Sequence, residues 1–298
     1  MISIIICSIN PERCKKTLDN ISKTIGIEYE TIIFDNRIKK FGICKVYNLC
    51  AEKAIFPYLC FIHEDVFIET VEWGKHIIEF IEETPECGVV GVAGGLQVTR
   101  NFTSWWSSDK IINVHYGYNG GNNKYLKLNY NNHDYVNPNN YNYAQVVCID
   151  GLMQCVRKTI WNEIRFDDNN YSGFHFYDVD FSFSVSQKYK NYVLLDIDIY
   201  HDSSGSFNES YVKNMFLFQK KWRKKLPYYL EEKNIYIKTI CELRDVEALL
   251  IDNRNIHNII FNLIHIVKNN TFVFNILIFF YIPIKIALRL LYKLYKRL

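Results

Sequence analysis

The chain opens on an apolar run, Ile2–Cys7, interrupted only by Ser3 and rich in β-branched residues. Such a run suits a strand buried on both faces. Asn10-Pro11-Glu12 follows, which supplies an N-cap, a proline at the first helical position and an acid in the first turn. The pattern then repeats. Thr31–Phe34 predicts a second strand ending at Asp35-Asn36, Cys44–Ile55 a helix, and Tyr58–Ile62 a third strand ending at His63-Glu64-Asp65. Glu72–Glu83 predicts a helix, and Gly88–Ala93 a strand closed by Gly94-Gly95. This alternation predicts an α/β fold, Rossmann-like, with a mostly parallel central sheet flanked by helices and right-handed crossovers. Ligands of open α/β sheets sit beyond the carboxyl ends of the strands. Ser8-Ile9-Asn10, Asp35-Asn36 and His63-Glu64-Asp65 are therefore expected to line one crevice.

Residues 113–143 break the rhythm, being rich in Asn, Tyr and Gly, and are expected to form a partly mobile loop over the crevice. Tyr143–Ile149 predicts a strand running into Asp150-Gly151, and Leu152–Arg157 another extended segment. Tyr177–Lys190 predicts a helix, Tyr192–Ile199 a strand, and His201–Ser206 a polar loop. From Glu209 to about Ile266 the pattern is mainly helical. The strand-rich first half excludes an all-helical membrane protein.

Charge is unevenly laid out. Residues 285–298 carry Lys285, Arg289, Lys293, Lys296 and Arg297 and no acid, so against a total of +3 the rest of the chain sums to −2. A nearly neutral body with one basic tail argues against nucleic acid as a partner and for a local anionic surface. Phe272–Ile284 is almost wholly apolar but too short to span a bilayer. The cations after it recur every three or four residues, with Leu288, Leu291, Tyr292 and Leu294 covering much of the remaining surface. That pattern predicts an interfacial helix lying on a membrane. A last helix packed on the protein body is the other reading. Nine cysteines without a CxxC pair, several inside apolar runs, read as buried hydrophobes in a reducing compartment. With no basic leader before Ile2, the expected location is cytoplasmic, peripheral on the inner face of the cytoplasmic membrane.

Three clusters could do chemistry. Phe61-Ile62-His63-Glu64-Asp65-Val66 runs a strand into potential metal ligands, and Asp65 could hold a hard divalent cation. Asp65 or Glu64 could instead cap the following helix. Asp178 and Asp180 lie near a predicted helix start, where the dipole favours acids as caps. Their aromatic surroundings (Tyr171, Phe174, Phe176, Tyr177) would equally suit a carboxylate of raised pKa beside a sugar ring. His201 follows a strand at the edge where the other candidates gather.

Together these segments resemble the family 2 glycosyltransferases, which have the GT-A fold. Ser3–Asn10 resembles the family's opening strand and nucleotide-binding turn, and Ile32-Ile33-Phe34-Asp35-Asn36 its second strand. Lys45-Val46-Tyr47-Asn48 resembles the helix whose Asn faces the nucleoside. His63-Glu64-Asp65 is similar to the metal-binding Asp-x-Asp segment in a His-x-Asp form, which leaves Asp65 as the assigned ligand. Asp150-Gly151 resembles the segment contacting donor sugar and acceptor, and Tyr177-Asp178 the Glu-Asp pair bearing the base, with Tyr in place of Glu. His201 resembles the late His that completes the metal site.

The resemblance covers roughly residues 1–215 and implies a GT-A catalytic domain there. Residues 216–270 are then expected as a helical extension and 271–298 as the membrane-associating tail. It implies an inverting, metal-dependent transfer from a nucleotide-diphosphate sugar to an acceptor hydroxyl, and a membrane-attached tail suggests a glycan or lipid-linked acceptor, as in bacterial capsule or lipopolysaccharide synthesis. Mg²⁺ or Mn²⁺ would bind at Asp65 and His201, with Asp178 as general base and Asp180 as its substitute. Ser8, Asp35 and Asn48 would hold the nucleoside, with Glu64, Asp150 and Gly151 completing the donor site. Two rivals share the fold. A nucleotidyltransferase would show a Gly-rich basic loop after the first strand, which Ser8-Ile9-Asn10-Pro11 lacks. A non-catalytic sugar-binding protein is the other.

Overall fold

β1 (Ile2–Ser8) is buried along almost its whole length, Ser3 included, as its mostly apolar run suits a strand covered on both faces. The structure, a computed structural model, describes residues 1–107, 109–116, 133–203, 208–252, 266 and 272–295. Asn10 accepts a side-chain hydrogen bond from the Arg13 N–H, and Pro11 opens α1 (Pro11–Thr24), as the cap signals predict. β2 (Tyr29–Asp35) pairs parallel with β1 so that Ser8 stands opposite Asp35. α2 (Asn36–Lys39) and α3 (Ile43–Lys53) lead to β3 (Tyr58–Ile62), parallel to the other edge of β1. Carboxyl ends of the first strands thus gather at one edge.

β4 (Val66–Ile68), α4 (Trp73–Glu83), β5 (Cys87–Gly91), β6 (Ala93–Gly95), β7 (Gln97–Val98), β8 (Lys110–Tyr116) and β9 (His133–Val136) follow. Gly94 and Gly95 therefore lie within a strand rather than closing one. β8 and β9 pair antiparallel at the ends of the expected loop, of which residues 117–132 lie outside the described residues. The predicted strand 143–149 divides into β10 (Tyr143–Val146) and β11 (Cys148–Ile149), which join different sheets. β12 (Met153–Arg157), α5 (Lys158–Glu163), α6 (Tyr177–Val185), β13 (Lys190–Leu194) and β14 (Ile199–His201) complete the strand-rich part. His201 is the last residue of β14 rather than part of a loop, and residues 204–206 of that expected loop lie outside the described residues.

The main sheet runs β10-β13-β5-β12-β3-β1-β2. β2, β1, β3, β5 and β13 point one way, while β12 and β10 oppose them, so the sheet is mixed with a parallel majority. A second sheet runs β11-β6-β8-β14-β4. β14 lies antiparallel to β4 with His201 opposite Val66, and β12 lies antiparallel to β3 with Met153 opposite Ile62. These two registers deliver His201 and the Asp150-Gly151 loop beside His63-Glu64-Asp65.

α7 (Glu209–Trp222) runs unbroken through the boundary expected at 215, and Phe218 and Gln219 are buried beyond it. β15 (Tyr228–Tyr229) pairs with β7. α8 (Ile235–Glu247) is followed by a short π-helical turn, Ala248–Asp252, and residues 253–265 lie outside the described residues. The segment after 215 is therefore tied into the body rather than appended to it.

The tail contains α9 (Phe272–Tyr295), part of which packs on the body. Ile278 and Ile282 are buried against the body, Tyr281 donates to a Glu247 carboxylate oxygen at 2.9 Å, and Lys285 pairs with Glu247 at 3.4 Å. Ile276, Leu277, Phe279, Phe280 and Ile284 remain exposed. Among the described residues no helix is long and apolar enough to cross a membrane. All nine cysteines are free thiols, eight of them buried and Cys7 partly so.

Candidate active site

The carboxyl edge of the sheet opens into a crevice of about 780 Å³, within the usual range for a small-molecule site. His63, Glu64, Asp65, Asp150, Gly151, Asp178 and His201 all line it. Residues 65, 178 and 201, far apart in the chain, therefore share one cavity.

On one wall, His63 Nδ1 lies 3.3 Å from His201 Nε2, which lies 3.4 Å from Asp65 Oδ1. Ligand atoms of these three residues are all within 4.8 Å of one another, close enough to meet around one cation. Burial, and then the neighbouring His201, pull the His63 pKa down to about 4, so its imidazole is neutral and able to ligate. Burial would also lower His201, but hydrogen bonding and charge from Asp65 outweigh it and raise its pKa. Burial tends to raise Asp65, and the two imidazoles and Arg13 override it to leave a stabilised carboxylate. Two imidazoles and one carboxylate are a donor set that fits Mn²⁺ and similar ions better than Mg²⁺, which prefers oxygen and water. Arg13 spans Asp65 at 3.4 Å and Asp202 at 3.5 Å, placing a cation at the same wall.

Asp178 faces this cluster from the start of α6. Phe176 just before it holds a left-handed backbone (φ 66, ψ 3), a costly conformation for an aromatic residue that turns the chain into the helix at this point. Asp178 Oδ2 accepts the Gly151 N–H at 2.9 Å. Burial first, and then the Asp150 charge, push the Asp178 pKa up to about 7, against the pull of nearby backbone N–H groups. A carboxyl so poised suits a general base. Asp150 is itself held, accepting from Trp105 Nε1 at 2.7 Å and from the Leu152 N–H at 2.8 Å. Gly151 is confined, since a Cβ there would strike the Tyr177 hydroxyl.

Other expected site residues do different work. Asp180 is 2 % exposed and turned away from the crevice, bonded to Lys221 Nζ at 2.7 Å, Trp222 Nε1 at 2.8 Å and the Tyr171 hydroxyl at 3.2 Å. It cannot replace Asp178 as base, because a step of two residues on a helix points the side chain to the opposite side. Asn48 is buried and donates to the Phe166 carbonyl at 2.8 Å, tying α3 to the body instead of facing a nucleoside. Asp35 caps α2 and pairs with Arg37 at its exposed rim. Ser8 donates to Glu64 Oε2 at 2.6 Å. Glu64 also accepts the Ile9 and Asn10 N–H groups at 3.0–3.2 Å, so it fastens the turn after β1. The crevice floor at that end is made by Cys7, Asn36 and Phe41 instead.

Sequence reasoning set His63 aside as a ligand and missed Arg13 and the Trp105-Trp106 rim. A histidine in the first position of a metal-binding segment was a readable signal. The rim was not, because nothing local links Trp105 to Asp150. Its support comes from α8. Asp245 accepts from Thr99 Oγ1 at 2.6 Å, the Thr103 N–H at 2.9 Å, Thr103 Oγ1 at 2.7 Å and Ser107 Oγ. Glu242 accepts the Arg100 and Asn101 N–H groups at 2.8 and 3.1 Å. Trp106 (40 % exposed) and Phe174 (53 % exposed) stand at the crevice.

Comparison with known proteins agrees with this architecture. Residues 1–349 of TarS of S. aureus, solved with UDP-GlcNAc, align with a TM-score of 0.54 at 13 % identity, covering 90 % of this chain and 81 % of that fragment, and this chain spans 50 % of the longer TarS. A mannosyltransferase of Pyrobaculum calidifontis, solved with GDP-Man and Mn²⁺, gives 0.50 at 9 % identity, covering 97 % and 80 %. GalNAc-T7, solved with UDP, GalNAc and Mn²⁺, gives 0.51 at 10 % identity over 74 % of this chain, which spans only about half (48 %) of that longer protein. No curated protein matches the sequence. Residues 3–239 match the family described as "Glycosyltransferase like family". With that match over most of its length and a GT-A fold around the crevice, this chain belongs to the glycosyltransferase-like family.

Proposed function

We propose that this protein transfers a glycosyl group from a nucleotide-diphosphate sugar to a hydroxyl of a glycan or lipid-linked acceptor, inverting the anomeric carbon in a single displacement. One observation carries the reading: a carboxyl poised near neutrality, Asp178, shares a crevice with the His63–Asp65–His201 cluster. The relatives solved with nucleotide sugars and Mn²⁺ support the choice of donor and cation.

His63, Asp65 and His201 would hold Mn²⁺ or Mg²⁺, which when bound supplies Lewis-acid stabilisation to the leaving diphosphate. Arg13 adds a fixed positive charge on that side. Asp178 accepts the proton of the attacking hydroxyl, a role worth ~10²–10⁴-fold. Asp150 and Gly151 form the floor between base and cluster, and Trp106 and Phe174 offer apolar faces to an acceptor sugar. The exposed apolar residues of α9, continuing into the basic tail, would rest on the inner face of the cytoplasmic membrane. That placement fits assembly of a bacterial surface polysaccharide, a capsule or lipopolysaccharide.

The test is a screen of UDP- and GDP-sugars for nucleotide release, with and without Mn²⁺. Turnover with one donor, abolished in Asp178→Asn while donor affinity persists, is the expected result. Tight donor binding with no release from any donor–acceptor pair would favour the non-catalytic sugar-binding alternative. Normal turnover in Asp178→Asn would remove the base assignment.

A further inference from the structure

Tyr177 stands where the family resemblance leads one to expect a glutamate, and its phenol lies between the metal-type cluster and the base. Its hydroxyl oxygen is 2.6 Å from His63 Nε2 and 3.0 Å from the Gly151 carbonyl oxygen. The ring is buried and wedged edge-on against Tyr47, with centroids 5.6 Å apart, so the phenol has little freedom to leave this position.

The opposite nitrogen of His63, Nδ1, faces His201 Nε2 at 3.3 Å. A cation held by this cluster must therefore meet His63 through Nδ1, and a nitrogen ligates only through a free lone pair. The neutral imidazole has one proton, which must then sit on Nε2. What stabilises that tautomer is an acceptor at Nε2. The Gly151 carbonyl has no proton to offer, so the phenolic O–H donates to it, leaving an oxygen lone pair directed at His63 Nε2. In the other tautomer Nε2 would need a proton from the phenol, and the Gly151 carbonyl would lose its partner.

We propose that Tyr177 is a positioning residue that holds His63 in its Nε2–H tautomer, presenting Nδ1 to the divalent cation. The proposal rests on the glycosyltransferase reading of the cluster. It also gives the Tyr-for-Glu replacement a purpose: a glutamate would bring a negative charge against Gly151, whereas a phenol both accepts from the imidazole and donates to the carbonyl. Because the Gly151 N–H in turn donates to Asp178 Oδ2, one short relay joins cation ligand to base. Partners of this kind behind a ligating histidine are worth ~10–100-fold in metal affinity.

The experiment uses the full chain labelled with ¹⁵N-histidine, free of metal, with the His63 signals assigned through His63→Gln. In the wild type the nitrogen spectrum is expected to report His63 protonated at Nε2, and in Tyr177→Phe a shift toward Nδ1–H or a mixture. Titration with Mn²⁺, followed by its electron paramagnetic resonance, is expected to show ~10–100-fold weaker binding in Tyr177→Phe with an unchanged circular dichroism spectrum. Should that variant not fold, Gly151→Ala, whose Cβ would clash with the phenol oxygen and so is incompatible with the present Tyr177–Gly151 spacing, is expected to weaken Mn²⁺ in the same direction. An unchanged tautomer and equal Mn²⁺ affinity in Tyr177→Phe overturn the proposal and leave the enzyme reading intact. A wild type that binds no Mn²⁺ overturns the metal site itself, and the proposal with it.

Discussion

Asp178 should impose an unusual pH dependence on transfer. An ordinary aspartate, near 3.8, is more than nine-tenths ionised at pH 5, and its use as a base would give a flat profile from there upward. Raised to about 7, Asp178 is only ~1 % ionised at pH 5, half ionised at its pKa and ~90 % ionised at pH 8. The base works deprotonated, so kcat/KM must rise with pH, by ~100-fold between pH 5 and the plateau. The second largest cause of the shift, after burial, is the Asp150 charge. Neutralising it in Asp150→Asn should therefore move the rising limb to lower pH, whatever that change does to the plateau. The assay is nucleotide release across pH 5–9, run at two saturating Mn²⁺ concentrations. A limb set by protonation of the metal-binding imidazoles would move with Mn²⁺, whereas one set by Asp178 would not. A profile flat from pH 5, or a limb that Asp150→Asn leaves in place, would refute the assignment.

Three further outcomes follow from the same geometry. Asp180→Asn breaks a buried pair with Lys221, which retains Asp167, so denaturant titration should show a loss of ~1–3 kcal/mol with kcat per folded molecule nearly unchanged; a fall in kcat matching that of Asp178→Asn would show the base misassigned. Asp245→Ala removes the acceptor of four hydrogen bonds that fix the 99–107 segment, and should cost ~3 kcal/mol. Its acceptor KM should rise more than its donor KM, and equal effects on both would separate the rim from acceptor recognition. Replacing both Phe279 and Phe280 by Asp should weaken sedimentation with anionic vesicles by at least ~10-fold, since each exposed ring can bury ~1.5–3 kcal/mol of apolar surface; undiminished sedimentation would remove α9 as the membrane contact.

The parts of this fold legible in the sequence were those with strong local causes. β1 and α1 were readable because a β-branched run meets Asn10-Pro11, and the carboxyl-edge rule then placed His63–Asp65 in the crevice correctly. Asp178 and Asp180 were both candidates in sequence. Only their angular separation on α6 divides them, and the two-residue step already implied it. Asn48 failed for a different reason: a helix position does not reveal which face meets the ligand, and here the side chain serves the Phe166 carbonyl. The bracing of residues 99–107 by Glu242 and Asp245 was beyond reach, because it joins groups more than 130 positions apart, although two acids three residues apart do share one helical face.

The rim carrying Trp105 and Trp106 is held from behind by carboxylates that never meet the cavity. The side chains that brace this segment are therefore not the ones that face the crevice. Anyone seeking to redirect this protein to new acceptors would start at position 106, leaving 99, 103, 107, 242 and 245 alone and sparing Phe174, whose ring packs on His63 and Tyr177. A library that ignored that division would mostly collect molecules with a slack rim, and their lost activity would be mistaken for lost selectivity.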